Sequence, residues 1–363
     1  MKDRRTILYL LILSMFLLSM MALLAYADTG ISTGASSSAL YNPDTKTFLY
    51  QSNANKRLPM ASTTKIVTAL IAIETLNLDE AVRVPREAVG IEGSSLYLKE
   101  GDELFVKDLI YGVLLQSAND AATVLALRIS GSIPAFANMM NERVAMIGTT
   151  DTNFENPHGL DSEIHYTTAH DLSLISAEAL SNETFREIVS TYKYSFKLGD
   201  ATRTVVNHNK LLKLFDGCIG VKTGFTKKSG RCLVSAAERN GVTLVAVTLN
   251  DPDDWRDHES MLEYGFNTLE TVNLNTLVTL PDSIPTISAD YQRVKIALSR
   301  GTIIKMKDET LAFSLDLPSY ICTDVKSGDK VGALHVAING RYETVDIIAS
   351  DDVTIKRTSK RFF

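Results

Sequence analysis

Between Lys65 and Leu76 the chain is almost wholly apolar, with Ile66, Val67, Ala69, Leu70, Ile71, Ile73 and Leu76 spread round every side of a predicted helix. A helix with no polar stripe has no side to give to water, so it must be enclosed by the rest of the fold. This one begins on a lysine. An amine carried into an apolar interior is costly while it is charged, so its pKa should fall, and the positive N-terminal end of the helix pushes the same way.

Further elements are legible on either side. Ser36–Tyr41 and Thr47–Gln51 read as strands about the turn Asn42-Pro43-Asp44. Lys107–Leu115, Ala121–Ile129, Pro134–Ile147 and His170–Leu180 read as helices. Gly217–Gly224, Arg231–Glu238 and Thr243–Leu249 read as three consecutive strands, the last two joined by Arg239-Asn240-Gly241, and Arg256–Phe266 as a closing helix. Strands at both ends with helices between predict an α+β domain, an antiparallel sheet built from both ends and covered by helices. From about Val272 the helical period disappears. Val294–Leu298, Thr302–Lys307, Leu334–Ile338 and Thr344–Ala349 alternate as short strands and predict a separate β-sandwich. The expected divisions are 1–27, 28–271 and 272–363.

At the N-terminus, Lys2, Arg4 and Arg5 precede an uncharged run from Ile7 to Leu24, and Ala25-Tyr26-Ala27 follows as a small-x-small cleavage site. That is the pattern of an export signal. The run is also just long enough to stay as a membrane anchor, and the sequence leaves cleavage open. Either way the rest is expected outside the cytoplasm. Removal of residues 1–27 would change the formal charge from −6 to −8. Such an acidic chain is no nucleic-acid binder, whose affinity comes mostly from neutralising phosphates. With 45% apolar residues it is not disordered. Cys218, Cys232 and Cys322 are too few for a disulfide framework and are expected to be buried, reduced strand residues, one bridge being the alternative.

Three short motifs carry chemistry. In Ser62-Thr63-Thr64-Lys65 the serine and lysine are three apart, on one helical face, so a neutral Lys65 amine could take the Ser62 proton and make it a nucleophile. The bland alternative for Ser62 is a helix N-cap. Ser117-Ala118-Asn119 offers a hydroxyl to relay a proton and an amide to hold a substrate amide, again with capping as the alternative. Lys222-Thr223-Gly224 ends an apolar strand: cation and hydroxyl suit a carboxylate, and the glycine permits close backbone approach. The motifs follow one another at intervals of 55 and 105 residues. Ser-x-x-Lys, Ser-Asp-Asn and Lys-Thr-Gly in that order mark penicillin-binding proteins and class A β-lactamases, and here Ala118 replaces the aspartate.

At these residues, and at Pro59–Lys65, Leu115–Ala122, Asn156-Pro157-His158-Gly159-Leu160 and Gly220–Thr226, the chain resembles the D-alanyl-D-alanine carboxypeptidases, the low-molecular-mass penicillin-binding proteins. The resemblance implies a β-lactamase/transpeptidase-like domain with a helical subdomain, followed by a smaller all-β domain. It implies Ser62 as acylated nucleophile, Lys65 as general base, Ser117 as proton relay to the leaving amine and Asn119 as a substrate-orienting residue. Lys222 and Thr223 would hold a terminal carboxylate, with Arg256 nearby, and the N–H groups of Ser62 and Phe225 would form the oxyanion hole. Some family members carry histidine where Phe225 stands, so any role of that side chain is missing here. The implied partners are peptidoglycan stem peptides and β-lactam inhibitors.

A β-lactamase would need a deacylating glutamate in a Glu-x-x-Leu-Asn setting, and Glu155, in the right stretch, is followed by Asn156-Pro157-His158-Gly159 instead. A catalytically silent wall-binding protein would have no need of Ser62, Lys65 and Lys222 together. No cofactor or metal is expected, since His165 and His170 are five apart and Asp251–Asp257 lacks calcium-loop spacing. His158 lies near the motifs and could orient the site or simply pack. The tail Lys356–Phe363 could touch an anionic membrane surface or lie in solvent. The oligomeric state is not legible.

Overall fold

The computed structural model describes residues 30–287 and 292–355. The candidate export signal and the basic tail lie outside the described residues. Among those described, no helix is long and apolar enough to cross a membrane.

The chain opens with β1 (Ser37–Asn42) and β2 (Thr47–Ser52), then makes a single 3₁₀ turn, Ala61–Thr64, running directly into α1 (Lys65–Thr75). A helical lobe follows: α2 (Val106–Leu115), α3 (Asn119–Ser130), α4 (Ile133–Ile147), α5 (Ala169–Ser181) and α6 (Glu183–Ser190). Two small ribbons decorate it, β3 (Ala81–Arg83) with β4 (Glu103–Phe105), and β5 (Lys193–Leu198) with β6 (Ala201–Val206). The chain returns to the sheet as β7 (Cys218–Thr226), β8 (Gly230–Arg239) and β9 (Val242–Leu249) before α7 (Asp254–Thr268). The five strands lie in the order β2-β1-β9-β8-β7, all antiparallel, so the sheet is indeed assembled from both ends of the domain.

The helix at the centre behaves as its sequence demands. Residues 65 to 72 are all buried, and Ile66, Val67, Ala69, Leu70 and Ile71 join one apolar cluster with α2, α3, α5 and the sheet residues Val234, Val245 and Val247. It stops where polarity returns at Glu74-Thr75 and Leu76 turns extended. Glu74 at that end, together with Glu178 of α5, grips Arg143 of α4.

The C-terminal part differs from the sequence expectation in three strands: Ser283–Pro285 and Leu311–Asp316 join the sheet unforeseen, and Thr302–Met306 leaves it. A curled five-stranded sheet forms from β11 (Ser283–Pro285), β12 (Arg293–Leu298), β14 (Leu311–Asp316), β15 (Lys330–Ile338) and β16 (Arg341–Ala349), in the order β11-β12-β16-β15-β14. The segment Thr302–Met306, β13, is outside it and pairs with β10 (Leu269–Asn273), which leaves the end of α7. The reason lies in its two consecutive isoleucines. Successive residues of a strand face opposite sides, and here Ile303 enters the apolar cluster of the curled sheet while Ile304 enters the cluster beneath α7. One ribbon thereby serves two cores. The cysteine expectation also needs correction. All three are free, but only Cys232 is fully buried; Cys218 is half-buried and Cys322 exposed in a loop, where Cys322 has no strand to bury it.

Leu70 sits at the middle of the enclosed helix at 1% exposure. Leu70→Ala should lower the unfolding free energy by about 2–5 kcal/mol, read as a fall in the urea midpoint without a change in slope.

Candidate active site

The three motifs meet where the sheet edge touches the start of α1. Strand β7 packs on the 3₁₀ turn, and a Cβ placed on Gly224 would lie 3.0 Å from the Ser62 nitrogen and 3.1 Å from the Met60 oxygen. That contact explains the glycine of Lys-Thr-Gly. Ser62, Ser117, Thr223, Gly224 and Phe225 line one cleft of about 320 Å³, and Ser94, Arg231, Cys232, Asp254, Trp255 and His208 complete it.

Neither capping alternative holds. The 3₁₀ turn, α1 and α3 all begin without a side-chain cap, so Ser62, Ser117 and Asn119 are not occupied in that way. Instead the polar groups converge on Lys65, which is completely buried. Its Nζ lies 3.0 Å from Ser62 Oγ, 2.7 Å from Asn119 Oδ1 and 2.5 Å from the main-chain oxygen of His158. Two of these neighbours are carbonyl oxygens and can only accept. In its neutral form the amine would have two N–H donors for these carbonyls and one lone pair left for Ser62 Oγ. Burial, with the nearby charge of Lys222 added, holds the Lys65 pKa well below the usual lysine range, against a smaller opposing pull from Asp120.

Asn119 and His158 thus have roles the sequence did not reveal. Asn119 Oδ1 accepts from Lys65 while its Nδ2 donates to the Glu92 oxygen at 2.5 Å, so the amide expected to orient substrate is largely engaged in holding Lys65. His158 contributes its backbone, and the only sequence signal was the block Asn156-Pro157-His158-Gly159-Leu160. Asp120, next along α3, accepts from Ser95 Oγ and from the Leu96 and Leu98 N–H groups, pinning the loop that carries Ser94 to the cleft. Ala61, Tyr97 and Ser117 adopt positive φ values of 47°, 58° and 62°. Such conformations cost of order 1–3 kcal/mol each and persist where surrounding structure enforces them.

Lys222 lies beneath the cleft, 1% exposed, with Nζ donating to the Thr223 oxygen at 2.9 Å. Burial brings its pKa down to about 7. The structure does not bring Arg256 to the cleft: it is exposed on α7 and absent from the lining. The guanidinium that does line the cleft is Arg231 of β8, opposite Phe225 in the strand register, and it grips the buried Asp254 through Nε and Nη2. Phe225 turns its ring outward at 66% exposure. Glu155 is exposed and does not line the cleft.

Residues 25–253 match the family model described as D-alanyl-D-alanine carboxypeptidase. The chain belongs to this family. The D-alanyl-D-alanine carboxypeptidase DacF of Bacillus subtilis is 29% identical over 340 residues, covering 90% of this chain and 86% of that protein. The crystal structure of the Streptomyces K15 DD-transpeptidase superposes with a TM-score of 0.62 at 34% identity, over 65% of this chain and 98% of that one. The Francisella tularensis D-alanyl-D-alanine carboxypeptidase DacD matches with a TM-score of 0.65 at 25% identity, over 90% of this chain and 95% of its own, so its likeness extends into the C-terminal sheet.

If the free lone pair of Lys65 governs the reactivity of Ser62, acylation by a fluorescent penicillin should rise with pH along a limb below the ordinary lysine value of ~10.4. The Lys222 charge helps to hold that limb down, so Lys222→Gln should move it to higher pH. A limb unmoved or shifted to lower pH would show that the two amines do not sense each other.

Proposed function

We propose that the protein is a serine-type D-Ala-D-Ala carboxypeptidase that removes the terminal D-alanine from peptidoglycan stem peptides and is inhibited by penicillins. The reading is carried by a single observation: the buried Lys65 amine lies 3.0 Å from Ser62 Oγ, and its other two partners are carbonyl oxygens that can only accept.

The reaction follows from that arrangement. Ser62 Oγ attacks the carbonyl carbon of the last peptide bond as its proton passes to Lys65 Nζ. The oxygen that becomes negative would lie between the N–H groups of Ser62 and Phe225, a reading supported by the close packing of Gly224, next to Phe225, on the Ser62 nitrogen; one such donor is worth ~2.7–4 kcal/mol in the transition state. The proton then reaches the departing D-alanine amine, with Ser117 as relay, and the C–N bond breaks to leave an acyl ester on Ser62. Water cleaves the ester and restores the serine. A β-lactam acylates the same oxygen, but its leaving nitrogen stays tethered, so the ester persists.

A terminal carboxylate would be met by Thr223, Lys222 and Arg231. Lys222, with a pKa brought down to about 7, is only partly charged near neutrality, whereas a guanidinium stays charged. Arg231, rather than Arg256, is the guanidinium at the cleft, although it shares its charge with Asp254. The enzyme would work after export, in the periplasm or cell wall.

The test is D-alanine release from a pentapeptide ending in two D-alanines, with penicillin labelling alongside. Wild type should release D-alanine and label; Ser62→Ala should do neither. Release undiminished in Ser62→Ala would sink the assignment. Arg231→Met should raise KM by about 10-fold with a smaller effect on kcat, as loss of uniform binding requires.

A further inference from the structure

One buried histidine is not used by this mechanism yet reaches into its centre. His165, 2% exposed, receives the Glu155 N–H on Nδ1 at 3.0 Å. A nitrogen that accepts carries no proton, so the ring's hydrogen is on Nε2. Nε2 lies 2.7 Å from Thr64 Oγ1 and donates to it. Thr64 Oγ1, wholly buried, spends its own proton on the Ala61 oxygen at 2.8 Å. Every group in this chain both accepts and donates, and every hydrogen points the same way.

The last link gives the chain its meaning. The Ala61 carbonyl belongs to the same peptide plane as the Ser62 N–H, and in a trans peptide the two point in opposite directions. The hydrogen bonds therefore enter that peptide at its oxygen, on the side opposite the N–H of Ser62, a residue that lines the cleft. Ala61 is held there at φ 47°, a conformation alanine does not choose unaided. The packing is equally tight on the far side, where a Cβ on Gly159 would come within 1.9 Å of the Ala61 oxygen.

We propose that His165 is a positioning residue for acylation: through Thr64 it fixes and polarises the Ala61–Ser62 peptide, whose N–H is one of the two oxyanion donors. The proposal rests on the peptidase reading above. A donor loaded at its carbonyl end is a stronger donor at its N–H end, and serial hydrogen bonds reinforce one another in a low-dielectric interior. Negative charge appears at the oxyanion only as Ser62 attacks, so the benefit belongs to the chemical step and not to the encounter with substrate.

The full chain is mixed with a fluorescent penicillin under stopped flow, and the saturation curve is resolved into the noncovalent dissociation constant and the acylation rate constant. His165→Leu removes the donor and should slow acylation about 10-fold, less than the ~10²–10³ lost when an oxyanion donor is deleted outright. The dissociation constant should stay within about twofold. His165→Gln, whose amide N–H can still reach Thr64 Oγ1, should recover most of the rate. Thr64→Val should reproduce the loss, and adding His165→Leu to it should cost little more, as for two members of one relay. Should both histidine variants fail to fold, Thr64→Val alone carries the test. An acylation constant in folded His165→Leu or Thr64→Val within about twofold of wild type overturns the proposal. So does a loss confined to the dissociation constant. Wild-type protein that penicillin never labels at Ser62 would overturn the peptidase reading itself, a result the other outcomes cannot mimic.

Discussion

Taking an amine out of water without giving it a counter-ion is the constraint on which this structure turns. Lys65 is completely enclosed and has no carboxylate bonded to it; its partners are two carbonyl oxygens and one hydroxyl. In such surroundings the charged form loses its hydration and regains only dipoles, so the pKa falls well below the usual lysine range. Much of the surrounding sequence serves that end. The apolar helix α1 keeps water away, Asn119 and the His158 main chain fix the nitrogen's orientation, and the second lysine at 222 adds repulsion. The outcome is an amine that gives up its proton far more readily than an exposed lysine does.

The site depends on two lobes approaching to van der Waals contact, and glycines permit the approach. Gly224 lets strand β7 lie against the Ser62 nitrogen, and Gly159 lets the segment carrying the His158 oxygen lie against Ala61. A side chain at either place would part the nucleophile from a group it needs. The positive φ of Ala61 and Ser117 has the same origin, for each is where backbone must turn sharply to aim a functional group into the cleft. Folding free energy from the enclosed core supports these conformations, which local preference alone would not maintain.

The sequence made the sheet's assembly from both ends legible because alternation and turn chemistry act over short range, as at Asn42-Pro43-Asp44 and Asn240-Gly241. It made Ser62, Lys65, Ser117 and Lys222 legible because each motif ties a chemical type to a fixed local spacing. What it concealed was long-range. Nothing local distinguishes Arg231 from Arg256; only the register of β8 against Phe225 brings the former into the cleft. The α6 helix and the β5–β6 ribbon went unread, since their short elements owe their existence to packing on the helical lobe. The strand Thr302–Met306 was recognisable as a strand but not its partner, because a pair of isoleucines facing opposite sides is equally at home in a sandwich or between two cores.

The phenylalanine at 225 gains its sense from the electrostatics around it. The histidines nearest the chemistry are all held below their usual pKa: burial brings His158 down to about 3 and His165 to about 4, and lowers His208 as well. His158 and His165 act through a backbone oxygen and an ordered tautomer rather than by titrating. An imidazole at position 225 would add a titratable group to a cleft that already contains Arg231. A phenyl ring leaves the backbone N–H in place while adding no proton to the scheme. The acid–base behaviour of this cleft is thereby left chiefly to two lysines, Lys65 with its pKa well below the usual range and Lys222 brought to about 7 beneath the cleft.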